Sequence, residues 1–241
     1  MCEACGCGDT GTVRVEVIEH ILADNERAAR HNREHFAERG LLSVNLMGSP
    51  GSGKTAVLEA TARAVAGRFR IQALSGDLAT EHDAERLRAA GIPCHSNTTG
   101  TACHQDAKLV HHALHHLGDS HPHDHSHPPA DVLFIENVGN LVCPAVYDLG
   151  QAANVVALSV TEGEDKPLKY PVMFKRADLV LVTKVDLLPH LPHVRLERLH
   201  YALRCTMSEP RFIELSSITG QGIGEWVSWV EERRVALRPA T

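Results

Sequence analysis

The chain has 241 residues, of which 43% are hydrophobic and 22% are charged, and this composition excludes a wholly disordered protein. Its formal net charge of −6 argues against non-specific binding to nucleic acid, so no nucleic-acid partner is expected. No apolar run approaches the roughly 20 residues of a membrane span, and the N-terminus lacks the basic start and apolar stretch of a signal peptide. We therefore expect a cytoplasmic protein without a membrane span. Its seven cysteines are then expected to be metal ligands, reactive thiols or core residues rather than disulfides.

The first ten residues are small and polar, and they carry the thiols of Cys2, Cys5 and Cys7. Thiolates are soft ligands that select transition metals over Mg²⁺ or Ca²⁺. The N-terminal amine and backbone amides could add the nitrogen donors that suit square-planar Ni²⁺. The pattern predicts a flexible nickel-binding tail and leaves open a redox-active or zinc-binding one.

After this tail, strands and helices are predicted to alternate. Apolar residues at roughly helical spacing indicate a surface helix over Val13–Phe36 that ends at Gly40. The predicted strands are Leu41–Met47, Arg70–Leu74, Val132–Ile135, Val155–Val160, Leu179–Thr183 and Arg211–Leu215. The further predicted helices are Lys54–Val65, Glu81–Ala90, His104–Leu117, Val194–Met207 and Glu225–Leu237. This alternation is typical of an α/β fold, with a mostly parallel sheet and helices on both faces.

A phosphate-binding loop is predicted between the first strand and the helix that follows it. The segment 48–55, Gly-Ser-Pro-Gly-Ser-Gly-Lys-Thr, fits G-x-x-x-x-G-K-[ST] in its strand–loop–helix context. Lys54 would act as a catalytic residue at the β- and γ-phosphates, and Thr55 would hold Mg²⁺. The residues of this loop expected to bind nucleotide are Gly48, Ser49, Gly51, Ser52, Gly53, Lys54 and Thr55.

Two acidic residues, Asp77 and Glu136, lie just after further predicted strands. Because parallel strands open on one crevice at their carboxyl ends, both side chains are expected near the phosphates. Asp77 is the candidate for Mg²⁺ or the attacking water, and is the second expected catalytic residue. Glu136 would lie near Mg²⁺, and the backbone N–H of Gly139 could contact the γ-phosphate.

Nine of the 17 histidines lie between His104 and His127. His104 follows Cys103 directly, and Cys143 lies four residues past Gly139, so a loop that responds to the γ-phosphate would also move a thiol. Two or three ligands from one chain leave a metal under-coordinated, and a symmetric dimer could complete the site.

The other eight clustered histidines are imidazole ligands that suit Ni, Zn or Cu. They predict a metal reservoir in an insertion over 111–129, and a solubilising polar insertion is the alternative. These histidines are His111, His112, His115, His116, His121, His123, His125 and His127. Cys94 and Cys205, by contrast, are expected to be small buried hydrophobic residues.

The segment Thr183-Lys184-Val185-Asp186 follows an apolar strand and matches the base-reading N/T-K-x-D motif of GTPases. Asp186 would accept hydrogen bonds from guanine N1 and N2, where adenine offers no donor. The stem of Lys184 would cover the base, and Thr183 stands where asparagine is commoner. After the last strand, Ser216 and Ser217 could meet guanine O6.

Together these motifs resemble the hydrogenase nickel-incorporation GTPases of the HypB type, over nearly the whole chain. The resemblance rests on the segments 2–7, 48–55, 100–104, 136–144, 161–171 and 183–188. It implies a P-loop NTPase fold with a SIMIBI-like G domain over 41–241, which follows the tail (1–10) and an N-terminal helix (11–40). The histidine-rich insertion departs from the family, where such stretches are more usual near the N-terminus.

The resemblance also implies a function. It implies hydrolysis of GTP to GDP and phosphate with Mg²⁺, and insertion of nickel into the large subunit of [NiFe] hydrogenase. It implies dimerisation on GTP binding, with Cys103, His104 and Cys143 at an interfacial Ni²⁺ or Zn²⁺ site, and a nickel chaperone of the HypA type as partner. The alternatives are a urease-type nickel GTPase, a nickel or zinc storage protein with a vestigial nucleotide site, and a P-loop kinase.

Overall fold

The computed structural model describes residues 10–65, 67–77, 81–98, 105–116 and 130–237, with the side chains of all of these except 10–21, 77, 98, 115 and 116. Its seven strands pair in parallel in the order β3-β2-β4-β1-β5-β6-β7. The strands are β1 (Leu42–Met47), β2 (Ile71–Asp77), β3 (Cys94–Thr98), β4 (Val132–Glu136), β5 (Ala153–Ser159), β6 (Leu179–Thr183) and β7 (Phe212–Leu215). The helices within these ranges are α1 (Thr10–Glu38), α2 (Lys54–Val65), α3 (His82–Ala89), α4 (Ala107–His116), α5 (Lys166–Lys169), α6 (Pro171–Lys175), α7 (Leu196–Thr206) and α8 (Ile223–Ala236). Over the described ranges, no helix is both long and apolar enough to cross a membrane.

Helices cover both faces of the sheet, as predicted, because side chains alternate along the central strands. Phe134 on β4 packs with α2, α3 and α8 in one core cluster. Its neighbours Leu133 and Ile135 belong to a second cluster that includes Phe36 of α1 and the apolar side of α4. A third cluster joins β5 and β6 to α6 and α7. Every residue of β4 is buried, as expected for a central parallel strand.

Most predicted elements are confirmed, and the differences have physical causes. Helix α2 and strand β6 have the predicted bounds. Strand β3 was not predicted, because the sequence Cys-His-Ser-Asn-Thr has none of the Val/Ile enrichment of the other strands; β3 pairs only with β2 at the sheet edge. Strand β2 runs on to Asp77, past the predicted end at Leu74. The short helices α5 and α6 were also not predicted.

The long helix α1 is attached to the domain by two buried asparagines. Asn32 donates from Nδ2 to the backbone oxygens of Ala107 at 2.8 Å and Leu149 at 3.0 Å. Asn25 accepts at Oδ1 the backbone N–H of Ala107 at 3.0 Å. Asn25, Ala29, Asn32 and Phe36, spaced three or four residues apart, are all buried and form the docked face of α1.

The two cysteines expected in the core have different surroundings. Cys94 on β3 is 8% exposed, and burial raises the pKa of its thiol to about 12. The prediction for Cys205 is wrong, because this residue is exposed on α7. The amphipathic pattern of α7 buries Leu199, Ala202 and Leu203, and Cys205 lies off that face.

Candidate functional site

The phosphate loop connects β1 to α2 and has the backbone geometry that its glycines allow. Gly48 has φ +149°, and a Cβ there would lie 2.4 Å from the backbone oxygen of Ala157. Gly53 has φ +95°, a conformation that other residues rarely adopt. Lys54 is 7% exposed, and its Nζ donates to the backbone oxygens of Gly48 at 3.3 Å and Ser49 at 3.2 Å. The Lys54 ammonium group is thus held against the backbone of the phosphate loop.

Beside this loop, Thr55 in the first turn of α2 meets Glu136 at the carboxyl end of β4. The Thr55 hydroxyl donates to Glu136 Oε1 at 2.7 Å. The other carboxylate oxygen, Oε2, is buried and has no hydrogen-bond partner among the described residues. A hydroxyl and an unsatisfied carboxylate oxygen are hard oxygen ligands, so this pair fits Mg²⁺. Asp77 ends β2 on the same side, but its side chain is outside the described part of the chain.

A cavity of about 470 Å³ lies over these groups. Its lining includes Gly51, Lys54 and Thr55 from the phosphate loop, Glu136 at the end of β4, and Gly139 from the segment after β4. A Cβ on Gly139 would lie 2.8 Å from Pro50 N, so the two loops are in direct contact. The predicted phosphate-site residues Lys54, Thr55, Glu136 and Gly139 are therefore brought together.

Burial raises the pKa of the Glu136 carboxyl to about 7, against the opposing effects of the Thr55 hydrogen bond and the Lys54 charge. A raised carboxyl pKa means that the folded protein loses stability as the pH rises from the ordinary value of 4.5 through about 7. Glu136→Gln lacks this titrating carboxyl. Without nucleotide, the free energy of unfolding of wild type should therefore fall by up to about 3 kcal/mol relative to that of Glu136→Gln over this pH range. Urea unfolding at several pH values measures it, and parallel pH profiles for the two proteins would contradict the prediction.

The base-reading segment is joined to the phosphate loop by two hydrogen bonds. Thr183 is 2% exposed, and its hydroxyl donates to the backbone oxygen of Ser52 at 2.6 Å. Lys184 has φ +61°, and its Nζ donates to the backbone oxygen of Gly51 at 2.6 Å. Asparagine is commoner at position 183 of this motif. Here the Thr183 hydroxyl supplies the contact between the end of β6 and the phosphate loop.

Asp186 lies in a short 3₁₀ segment (Val185–His190) directly after β6. Its Oδ1 is buried and has no hydrogen-bond partner among the described residues. A buried carboxylate oxygen without a donor is costly, so it indicates a place for donors from a ligand. After β7, the hydroxyl of Ser216 accepts the backbone N–H groups of Ile218 at 3.2 Å and Thr219 at 3.1 Å, which shapes the loop that contains Ser217.

A chain of buried amides also reaches the site, and the sequence patterns did not indicate it. Gln105, fully buried, donates from Nε2 to the backbone oxygen of Glu136 at 2.9 Å and from its backbone N–H to Asn137 Oδ1 at 3.1 Å. Asn137 in turn donates to Asn45 Oδ1 at 3.2 Å, and Asn97 donates to Gln105 Oε1 at 2.9 Å. Gln105 thereby fixes the end of β4 that carries Glu136.

Replacing Gln105 with leucine should destabilise the fold by about 1–3 kcal/mol, because the Asn97 amide keeps only its bond to the backbone oxygen of Leu109 and the Glu136 carbonyl loses its side-chain donor. Denaturant unfolding measures this loss. Gln221→Leu is the matched control, since Gln221 is exposed and should tolerate the change within about 0.5 kcal/mol. Equal stability of the two variants would contradict the role of the amide chain.

A charged pair at the cavity was also missed, because its partners lie 27 residues apart on α2 and α3. Arg86 lines the cavity together with Asp83. Its guanidinium donates to both oxygens of Glu59 at 3.0 Å, and this hydrogen bonding raises the pKa of Arg86. Arg86 thus lines the cavity as part of an ion pair with Glu59 and Asp83, whose carboxylates offset its charge.

The segment that carries Cys143 is bonded to the phosphate loop. Asn140 forms an antiparallel bridge with Gly48, and its side chain accepts the backbone N–H of Val142 at 2.8 Å. Cys143 is half-buried in a short 3₁₀ segment (Cys143–Ala145), and its neighbours Val142 and Val146 are 58% and 43% exposed. Within the described ranges, no three His, Cys, Asp or Glu side chains already form a metal-binding group.

The remaining predicted metal ligands are described only in part. His111 and His112 lie on α4, and α4 also includes His115 and His116, of which only the backbone is described. The predicted ligands that lie outside the described residues are Cys2, Cys5, Cys7, Cys103, His104, His121, His123, His125 and His127.

Comparison with known proteins agrees with this fold. Residues 42–209 match the family described as CobW/HypB/UreG, nucleotide-binding domain. A hydrogenase maturation factor HypB from Azotobacter vinelandii is 46% identical over 229 residues, 95% of this chain and 72% of that protein. The crystal structure of HypB from Archaeoglobus fulgidus has a TM-score of 0.78 and 37% identity, over 88% of this chain and 100% of that one. HypB from Helicobacter pylori, solved in complex with nickel, gives 0.82 and 37%, over 90% of this chain and 98% of that one. The chain therefore belongs to the HypB family of hydrogenase maturation factors, whose nucleotide-binding domain has the P-loop fold.

Proposed function

We propose that the chain is a GTP-hydrolysing nickel metallochaperone that helps to insert nickel into the large subunit of [NiFe] hydrogenase. In this proposal, nickel affinity is coupled to GTP-dependent dimerisation. The observation that carries it is the Gly48–Asn140 bridge, because it ties the phosphate loop to the segment that bears Cys143. The similarity to HypB maturation factors favours this function over that of a urease-type GTPase or a storage protein.

The nucleotide chemistry follows from the positions of the side chains. Lys54 lies where its ammonium can move from the carbonyls of Gly48 and Ser49 to the β- and γ-phosphates. Thr55 and Glu136 would hold Mg²⁺, which when bound offsets the charge on the phosphate oxygens. Asp77 is proposed to orient the water that attacks the γ-phosphorus, so that the bond to the β-phosphate oxygen breaks and GDP leaves. Turnover should be slow without an activating partner, as in other switch GTPases.

Guanine selection is assigned to Asp186, with Thr183, Lys184 and the loop of Ser216 and Ser217 around the base. The buried Asp186 oxygen without a described donor supports this, because guanine N1 and N2 would supply the missing hydrogen bonds. The bonds from Thr183 and Lys184 to the phosphate loop support a base site at a fixed distance from the phosphates.

Nickel is proposed to bind as cargo at two kinds of site. Cys2, Cys5 and Cys7 would form the tail site, and Cys103, His104 and Cys143 an interfacial site for Ni²⁺ or Zn²⁺. A second copy of the chain is the proposed cover for the Cys143 segment. The exposed Val142 and Val146 beside the thiol support such a cover, since burying apolar surface favours association. A HypA-type nickel chaperone is the proposed source of nickel.

The test is nickel binding by equilibrium dialysis with a non-hydrolysable GTP analogue, with GDP and without nucleotide. A coupling of 1–3 kcal/mol predicts that nickel affinity differs about 5- to 150-fold between the nucleotide states. Asp186→Asn is the control, because it should keep nickel binding but lose its response to GTP. Equal nickel affinity in all three states would reject the switch and favour a storage protein.

A further inference from the structure

Two helices outside the nucleotide site bring together histidines that lie far apart in the sequence. Asn25 and Asn32 of α1 are both bonded to Ala107, the first residue of α4. An ion pair between Lys108 Nζ and Asp24 Oδ2, at 3.7 Å, adds a contact between the same helices. The backbones of α1 and α4 are therefore fixed relative to each other next to these histidines.

The imidazole rings of His31 on α1 and His111 on α4 are in contact, with centroids 4.8 Å apart and planes inclined at 71°. His35 lies one turn after His31, so the two side chains share one face of α1. The Nε2 atom of His35 is buried and has no hydrogen-bond partner among the described residues. A cavity of about 410 Å³, lined by His31, His111 and His112, opens beside the pair.

We propose that His31, His35 and His111 form a further binding site for Ni²⁺ between α1 and α4. Imidazole nitrogens are borderline ligands that suit Ni²⁺, and two histidines one helical turn apart can chelate one ion. Water would complete the coordination from the cavity. The site rests on the proposed nickel-handling function only for the choice of metal, since the three imidazoles would also accept Zn²⁺.

The charges around the three rings determine how tightly such a site can hold a cation. Arg27 and Lys108 line the cavity with Asp24, so cations outnumber carboxylates there. No three ligands are preassembled in the described part of the chain, so the rings must rotate to share an ion. Both features indicate moderate affinity and rapid exchange, which suit transfer of nickel rather than permanent retention.

Chemical footprinting of histidines in the full-length protein tests the site. Nickel chloride is titrated in, the histidines are modified with diethyl pyrocarbonate, and each one is quantified by mass spectrometry. We expect His31 and His111 to become protected over the same nickel range. In His111→Ala, half-protection of His31 should need at least about tenfold more nickel. In His31→Ala, His111 should show the same effect, because the two side chains would bind one shared ion. His193→Ala removes an exposed histidine elsewhere and should leave both unchanged.

Protection of His31 that is the same in wild type and His111→Ala would overturn the proposal, as would no protection at nickel concentrations that saturate the chain. Protection by zinc chloride but not by nickel chloride would overturn the choice of nickel. Circular dichroism checks that each variant is folded. If either His31→Ala or His111→Ala does not fold, the other variant still gives a decisive result. If nickel protects both histidines but total nickel binding does not depend on GTP, the result would support this site and reject the proposed switch.

Discussion

Asp186→Asn is expected to transfer the nucleotide preference of the chain from GTP to XTP. Aspartate accepts hydrogen bonds from the N1–H and the 2-amino group of guanine, whereas an asparagine amide would set a donor against that amino group. Xanthine carries an oxygen at position 2, which the asparagine amide can meet as a donor. A site built for polar contacts rejects a mismatched base strongly, so GTP affinity should fall about 100-fold or more while XTP affinity rises. Equilibrium binding and hydrolysis, measured with both nucleotides, give the result.

The substitution should leave the fold intact, which makes the readout specific. The buried Oδ1 of Asp186 has no hydrogen-bond partner among the described residues, so no such contact of that atom is lost. Asp165→Asn is the matched control, because Asp165 is exposed on the segment before α5 and pairs with Lys169. An Asp186→Asn protein that still prefers GTP would show that another residue reads the base.

The sheet could be predicted from the sequence because its central strands are buried on both faces. In a chain where strands and helices alternate, a mostly apolar run such as Leu179–Thr183 predicts a buried parallel strand, and β6 has the predicted bounds. The edge strand β3 has no such run and is held by its pairing with β2, which no local pattern encodes. In the same way, the docked face of α1 includes Asn25 and Asn32, polar residues that a search for apolar periodicity discards.

The candidate site divides in the same way between local motifs and long-range contacts. The phosphate loop and the segment 183–186 are contiguous motifs, so their residues could be named from the sequence. Gln105 reaches Glu136 across 31 residues, and His31 meets His111 across an interface between helices, so neither contact has a local signal. Thr183 combines a local motif with a long-range contact. The sequence indicates it as a departure from asparagine, and the structure gives its hydroxyl a contact with Ser52.

Lys54→Ala is expected to lower GTP hydrolysis at saturating nucleotide by about 10²- to 10³-fold, the usual effect of removing one donor to developing charge. A second effect adds to this loss. The Lys54 charge lowers the pKa of Glu136, so without it the pKa should rise further above its ordinary range. Glu136 would then be protonated at neutral pH and be a poorer ligand for Mg²⁺. The activity that remains should therefore recover in part at alkaline pH, which steady-state hydrolysis from pH 6 to 9 can measure.

Lys184→Ala is the matched control for that experiment, since it removes another lysine that contacts the phosphate loop. Its Nζ binds the backbone oxygen of Gly51, and its stem is expected to cover the base. We therefore expect a raised KM for GTP with little change in the rate at saturation, whereas Lys54→Ala should lower the rate itself. Wild-type hydrolysis by Lys54→Ala would show that the phosphate-loop assignment is wrong. A rate lost equally in both variants would indicate disruption of the loop rather than loss of the charge, because both lysines donate to its carbonyls.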